Sequence, residues 1–195
     1  MIKKLTLIIG FIICLSSCGK DYVYRIEGEL SNLEDQTVYA VFEKDNYKVV
    51  DTVACTKPGQ FQIDQNEAGF HCVTIFFADK EHWVTAYLEP GETVKITGDA
   101  NSPLLLQVKG GRTNDKLTAF KKKIAPLLTE LTNLSNSLNS KDLNDTIEET
   151  DIAARLANVN MQLSEEAIRY VKENPNEEAS VVLIQSFFSD SPDLR

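Results

Sequence analysis

The chain lacks the short motifs by which most catalytic sites are recognised. It contains no Cys-x-x-Cys pair, no Gly-x-Ser-x-Gly elbow, no phosphate-binding glycine-rich loop and no His-Glu-x-x-His sequence. Histidine occurs only twice and cysteine four times, and their spacing does not match a zinc site. The sequence therefore predicts a protein that is not an enzyme and that has no metal site and no cofactor.

Basic residues are in the minority. The chain carries 20 Lys and Arg residues against 29 Asp and Glu residues, a formal net charge of −9. A surface of this charge repels nucleic acid unless its basic residues are gathered into one patch. The basic run Lys121-Lys122-Lys123 lies in a predicted helix, where consecutive side chains point in different directions. We therefore predict no nucleic-acid partner and interpret the run as a solvated face.

A long apolar run is present only at the N-terminus. Residues 1–17 comprise a basic start, an apolar stretch over residues 5–15 and two small residues before Cys18. This is the layout of a secretory signal peptide, and the apolar stretch is short for a membrane-spanning helix. The sequence therefore predicts a signal peptide over residues 1–17.

The end of this segment resembles the lipobox of bacterial lipoproteins, through Leu15, Ser16, Ser17 and Cys18. In that family the cysteine sulfur is lipidated, the chain is cut just before the cysteine, and the new amine is acylated. The resemblance implies that Cys18 anchors the protein in the cell envelope of a diderm bacterium, with residues 18–21 as a short tether. No Asp directly follows the cysteine, which favours the outer membrane. A plain secretory signal is the alternative.

From residue 22 onward, apolar and polar side chains alternate as they do in half-buried strands. Seven or eight such segments follow at short spacing, with Pro-Gly turns at 58–59 and 90–91. This pattern predicts an antiparallel β-sandwich or barrel-like domain over residues 22–110. Asp51, in the middle of one strand, is expected on the outer, wet face.

At Gly110-Gly111 the spacing of the apolar residues changes to three and four, which is typical of helices. Thr113 or Asn114 is expected to cap the first helix, and Pro126 is expected to kink or break it. The pattern predicts about three helices over residues 111–195. The chain is therefore expected to be an α+β protein whose sheet and helices form separate halves.

One aromatic group is a candidate partner surface. Trp83 is the single tryptophan, His82 precedes it at a predicted hairpin, and Tyr87 shares its face of the strand. A tryptophan near the end of a strand offers a stacking surface to a partner protein or a sugar. Packing of Trp83 in the core is the alternative.

Cys55 and Cys72 are the two cysteines beyond the predicted anchor. If strands 48–55, 61–64 and 71–78 form a meander, alternation places these cysteines on opposite faces of the sheet. That arrangement favours two unpaired thiols. A disulfide between them, in a compartment that permits one, is the alternative.

Part of the chain resembles a known domain in several spaced segments: Tyr22 to Leu30, Val50 to Phe61, Leu88 to Ile96 and Gly110 to Asp115. Over about residues 22–120 it is similar to the N-terminal domain of unknown function in lipoproteins of the TlpA-like and ResA-like thiol–disulfide oxidoreductases. In that family a thioredoxin-like domain with a Trp-Cys-x-x-Cys centre usually follows, and this sequence contains no such segment.

The resemblance implies a non-catalytic accessory or binding module held at the membrane by its lipid, with another envelope protein as its partner. Two alternatives stay open. The chain is either the N-terminal fragment of a membrane-anchored oxidoreductase, or an envelope lipoprotein that binds carbohydrate or another small ligand. An in-frame thioredoxin-like segment in the gene after codon 195 would favour the fragment, whereas a stop codon would favour the accessory module.

Overall fold

Alternating apolar side chains form eight strands among the described residues of the first half of the chain, and helices follow. The computed structural model describes residues 23–34, 37–45, 47–77, 82–139 and 146–188. The strands are β1 Tyr24–Ser31, β2 Thr37–Lys44, β3 Tyr47–Ala54, β4 Gln60–Gln65, β5 Cys72–Phe76, β6 Trp83–Tyr87, β7 Thr93–Asp99 and β8 Gln107–Lys109. A short 3-10 helix, Pro103–Leu105, precedes β8. The helices are α1 Arg112–Lys123, α2 Ala125–Asn139, α3 Thr146–Glu173 and α4 Glu178–Phe188.

The strands form two four-stranded sheets, in the orders β4-β1-β7-β8 and β3-β2-β5-β6. The inner faces of the two sheets share one hydrophobic core, whose largest buried side chains include Tyr24, Phe42, Phe70, Ile75 and Ile96. The predicted sandwich is therefore confirmed. The barrel-like alternative is wrong, because each sheet keeps two edge strands and no closed barrel forms.

Two details of strand pairing differ from the sequence prediction. β1 and β7 pair in parallel, because the second sheet is inserted between them in the chain and β7 returns beside β1 in the same direction. The predicted meander of the third, fourth and fifth strands is also wrong. β4 leaves β3 after the Pro-Gly turn and pairs with β1, whereas β5 pairs with β2.

Asp51 lies on the inner side of edge strand β3, not on the outer face. Its partner in β2 is Ala40, which is fully buried in the core, and cross-strand partners point to the same face. The Asp51 side chain is half-buried at this margin of the sandwich. An inward-pointing charge is one way in which natural sheets discourage further strands from adding to an edge.

The helices form a second hydrophobic core, which includes Phe120, Leu128, Leu134, Leu163 and Leu183. The described residues form four helices where about three were predicted, because the first predicted helix divides at Ile124. Pro126 has no N–H to donate to the preceding turn, so it is tolerated only near the start of a new helix. It is accordingly the second residue of α2.

None of the helices in the described ranges is long and apolar enough to cross a membrane. The predicted signal peptide and anchor, with Leu15, Ser16, Ser17, Cys18 and the tether to residue 21, lie outside the described residues.

Candidate functional site

The joint between the two halves of the molecule consists of two consecutive glycines after β8. Gly110 and Gly111 have φ angles of 100° and 82°, which side chains rarely tolerate. A Cβ atom on Gly110 would lie 2.1 Å from the carbonyl oxygen of Thr93. The chain therefore passes directly over the backbone of β7 and turns into α1, which brings α1 against the sandwich.

Helix α1 uses two polar side chains to satisfy the open edges of both sheets. The Tyr87 N–H donates to Asn114 Oδ1 at 2.9 Å, and Asn114 Nδ2 donates to the Tyr87 carbonyl oxygen at 2.7 Å. Four residues later, Thr118 Oγ1 accepts from the Val108 N–H at 3.1 Å and donates to the Val108 carbonyl oxygen at 2.5 Å. Tyr87 is in edge strand β6 and Val108 is in edge strand β8, so one helix face covers both edges.

The expected capping role of Thr113 or Asn114 is wrong. The residue that caps α1 is Gly111, and both polar residues lie within the helix and are buried. The Thr113 hydroxyl donates to Glu178 Oε2 at 2.7 Å and so ties α1 to α4. These residues join parts of the fold that are distant in sequence.

A groove of about 320 Å³ lies where β6, the 3-10 helix, α1 and α4 meet. Most of its lining is apolar and includes Leu117, Phe120, Leu128, Leu183 and Phe187. Trp83 and Leu104 also line it, and they remain 53% and 42% exposed to solvent. Large apolar side chains beside a concave apolar surface are typical of a binding site.

The structure brings together two of the three aromatic-group residues that the sequence predicted. Trp83 and Tyr87 lie on the same face of β6 and both line the groove. His82 lies at a different concavity, beside Asn32 and Asn101. The candidate partner surface is therefore Trp83 and Tyr87 without His82.

The Tyr87 hydroxyl is a neutral group. Burial raises the pKa of Tyr87 to about 12, and the negative charges of Glu178 and Glu43 contribute in the same direction. The phenol therefore keeps its proton at physiological pH and can donate a hydrogen bond.

Lys121 is a groove residue that the sequence analysis missed. It is half-buried, whereas Lys122 is exposed and the Lys123 ammonium lies 3.2 Å from Glu166 Oε2. Burial lowers the pKa of Lys121. The sequence does contain a sign of this placement. Lys121 lies four residues after Leu117 and three before Ile124, so it is on the apolar face of the helix.

No disulfide joins Cys55 and Cys72 in the structure. Cys55 packs against the sandwich core, whereas Cys72 Sγ lies on the outer face of the same sheet, 3.8 Å from Glu43 Oε2. Burial, with the Glu43 carboxylate, raises the pKa of the Cys72 thiol to about 11. A thiol that holds its proton so strongly is a poor nucleophile and a poor redox group.

Within the described ranges, no group of three or more His, Cys, Asp and Glu side chains is placed to hold a metal ion. His71 Nε2 instead lies 2.7 Å from Asp45 Oδ1 on the surface. The absence of a metal and of a cofactor stays a prediction.

Fold and groove together define a class of protein: a two-sheet sandwich whose open edges are covered by the first helix of an α-helical extension, with an apolar groove at the junction. Residues 24–117 match the family described as Domain of unknown function (DUF4369). The matched segment runs from β1 into α1 and includes the glycine joint, Trp83 and Asn114. No curated protein and no solved structure matches the chain.

The match confirms the sequence-based expectation of a domain of unknown function over this part of the chain. The relation to thiol–disulfide oxidoreductases stays a hypothesis, as do the lipid anchor and the envelope location.

Proposed function

We propose that the protein is a non-catalytic, lipid-anchored module of the bacterial cell envelope that binds an apolar ligand in the groove between β6 and the helices. The observation that carries the binding function is the groove itself, which has a volume of about 320 Å³ and mostly apolar walls. Trp83 and Leu104 line it and are partly exposed to solvent. Small-molecule sites commonly have volumes of roughly 300–1,000 Å³ and mostly apolar walls. Full burial of an exposed large apolar side chain contributes about 1.5–3 kcal/mol, and a ligand that covered the exposed parts of Trp83 and Leu104 would gain roughly half of that at each.

The chemistry of the lining favours an apolar ligand over a carbohydrate. Sugar sites need several polar groups that converge on the hydroxyls of the ligand. Here most of the lining is apolar, and the polar side chains of Asn114 and Thr118 already bond the backbone of β6 and β8. The second candidate function, a fragment of a thiol–disulfide oxidoreductase, gains no support from Cys55 or Cys72, which lie on opposite faces of their sheet. The accessory-module hypothesis accordingly rests on the groove.

Trp83 provides a direct test of ligand binding, because it is the only tryptophan in the chain. We expect a red emission maximum in the free protein, since the indole is 53% exposed, and a blue shift that saturates when the neutral probe dodecanol is added. Ser186→Phe places a bulky ring in the groove from an exposed position of α4 and should weaken binding by about tenfold.

Gln185→Phe is the matched control, because the neighbouring exposed residue does not line the groove. It should bind dodecanol as the wild type does. A free protein whose emission is already that of a buried indole, or equal binding by the two phenylalanine variants, would contradict the proposed site.

The lipid anchor has its own test. Cys18→Ala removes the sulfur that accepts the lipid, so we expect no incorporation of labelled palmitate and no release of the signal peptide. Cys14→Ala is the control, since Cys14 lies within the predicted signal peptide and should be dispensable for labelling. Several acyl chains, each contributing about 0.8 kcal/mol per buried methylene, make the attachment permanent. Unchanged labelling of the Cys18 variant would exclude the anchor.

A further inference from the structure

Lys121 is the charged residue among the described residues that line the groove. The same lining contains no carboxylate, although the chain has more acidic than basic residues. In the described part of the chain, Lys121 forms no ion pair, whereas three other cations around α1 do: Arg112 and Lys116 pair with Glu177, and Lys123 pairs with Glu166. The groove therefore presents one half-buried positive charge to whatever fills it.

On the basis of the proposed binding function, we propose that the ligand of this groove is a single-chain acyl carboxylate, whose chain lies along the apolar lining and whose carboxylate pairs with the Lys121 ammonium. An ammonium that is removed from water without a partner is costly, and a bound anion offsets that cost. An apolar ligand without charge would cover Lys121 and increase the cost. The placement of the lysine therefore discriminates between amphipathic anions and neutral lipids.

The charge balance favours a carboxylate over a phosphate monoester. One ammonium neutralises one negative charge, whereas a phosphate monoester carries about −1.5 to −2 at neutral pH. Tyr87 and Ser186 also line the groove, and their hydroxyl groups are neutral donors for the second carboxylate oxygen. The Tyr87 hydroxyl keeps its proton, so it does not compete as an anion.

The test compares probes that share one chain and differ in the head group: dodecanoate, dodecanol, dodecyl phosphate and dodecyltrimethylammonium. Each is titrated below its micelle concentration at about pH 7, where a carboxylate is ionised, and Trp83 emission reports binding. We expect the affinity for dodecanoate to be at least about ten times the affinity for dodecanol, because a charge-assisted hydrogen bond contributes that much. The trimethylammonium probe should bind more weakly than the alcohol.

Variants of the lysine run identify the group responsible. Lys121→Met should lower the dodecanoate-to-dodecanol affinity ratio to about one, and Lys121→Arg should keep the preference. Lys122→Met removes the same charge from an exposed neighbouring position and should leave the ratio as in the wild type. A ratio that falls equally in both methionine variants would show a general surface-charge effect and overturn the assignment.

The outcomes separate this inference from the proposed function on which it rests. If no probe shifts Trp83 emission, the groove is not a binding site and both fail. If dodecanol binds as tightly as dodecanoate, the groove binds apolar chains but the carboxylate assignment is wrong. Tighter binding of dodecyl phosphate than of dodecanoate would likewise overturn the carboxylate class.

Discussion

Gly110→Ala is expected to lower the free energy of unfolding by about 3–5 kcal/mol, a large fraction of the roughly 5–15 kcal/mol that stabilises a typical domain. Two costs add at this position. The φ angle of 100° is strained for any residue with a side chain, and a Cβ atom would lie 2.1 Å from the Thr93 carbonyl oxygen. That oxygen is part of the backbone of β7, so it cannot move aside as the end of a flexible side chain would.

Gly91→Ala separates the two costs. Gly91 has a φ angle of 81°, but a Cβ atom built there meets no atom within 4 Å. Its substitution should cost only the conformational strain, about 1–2 kcal/mol. Urea denaturation of both variants, followed by circular dichroism, gives the comparison. Equal losses of stability would show that the contact with Thr93 is relieved by a small backbone shift and that the joint is less rigid than its geometry indicates.

The positions of the strands were predictable because each strand needs only its own residues to show its pattern. In β1, for example, Tyr24, Ile26 and Leu30 are buried and Arg25, Glu27 and Glu29 are not, as period-two alternation requires. The pairing of the strands was not predictable in this way, because it depends on the path of the chain between them. The parallel pair β1 and β7 and the switch of β4 to the other sheet depend on long-range packing that alternation does not encode.

Asp51 shows the same limit at one residue. Its neighbours Val49 and Val53 pack against the core, so strict alternation places Asp51 on the same side. Two sequence rules disagreed at this residue: a charged side chain is expected to face water, whereas period-two alternation places Asp51 on the inner face. The structure follows the alternation. An edge strand tolerates the charge there because its margin is open to solvent on one side.

Functional residues at the junction were the least predictable, because their roles arise between elements. Lys121 looked like one of three solvated lysines, and only its place on the apolar face of α1 distinguishes it from Lys122. Asn114 looked like a helix cap, since short polar residues near the start of a helix commonly have that role. Its actual partner, Tyr87, is 27 residues earlier in the chain.

Replacement of Asn114 by alanine should lower the free energy of unfolding by about 3–4 kcal/mol, because three half-buried backbone groups lose this hydrogen-bond partner, at about 1–3 kcal/mol each. Asn114 is 2% exposed, and its side-chain amide bonds the N–H and the carbonyl oxygen of Tyr87 and, at 2.6 Å, the carbonyl oxygen of Gly110.

The local consequence is measurable apart from global stability. In the wild type the Tyr87 amide should exchange slowly with solvent although it faces outward from an edge strand, because Asn114 Oδ1 accepts its hydrogen bond. In the alanine variant, exchange at Tyr87 should become much faster than at the central strand β5. Asn133→Ala is the control, since Asn133 is exposed on α2 and alanine is the better helix former. If Asn114→Ala changed stability no more than this control, α1 would be held by its apolar contacts alone and the side-chain amide would not be what seals the edge of β6.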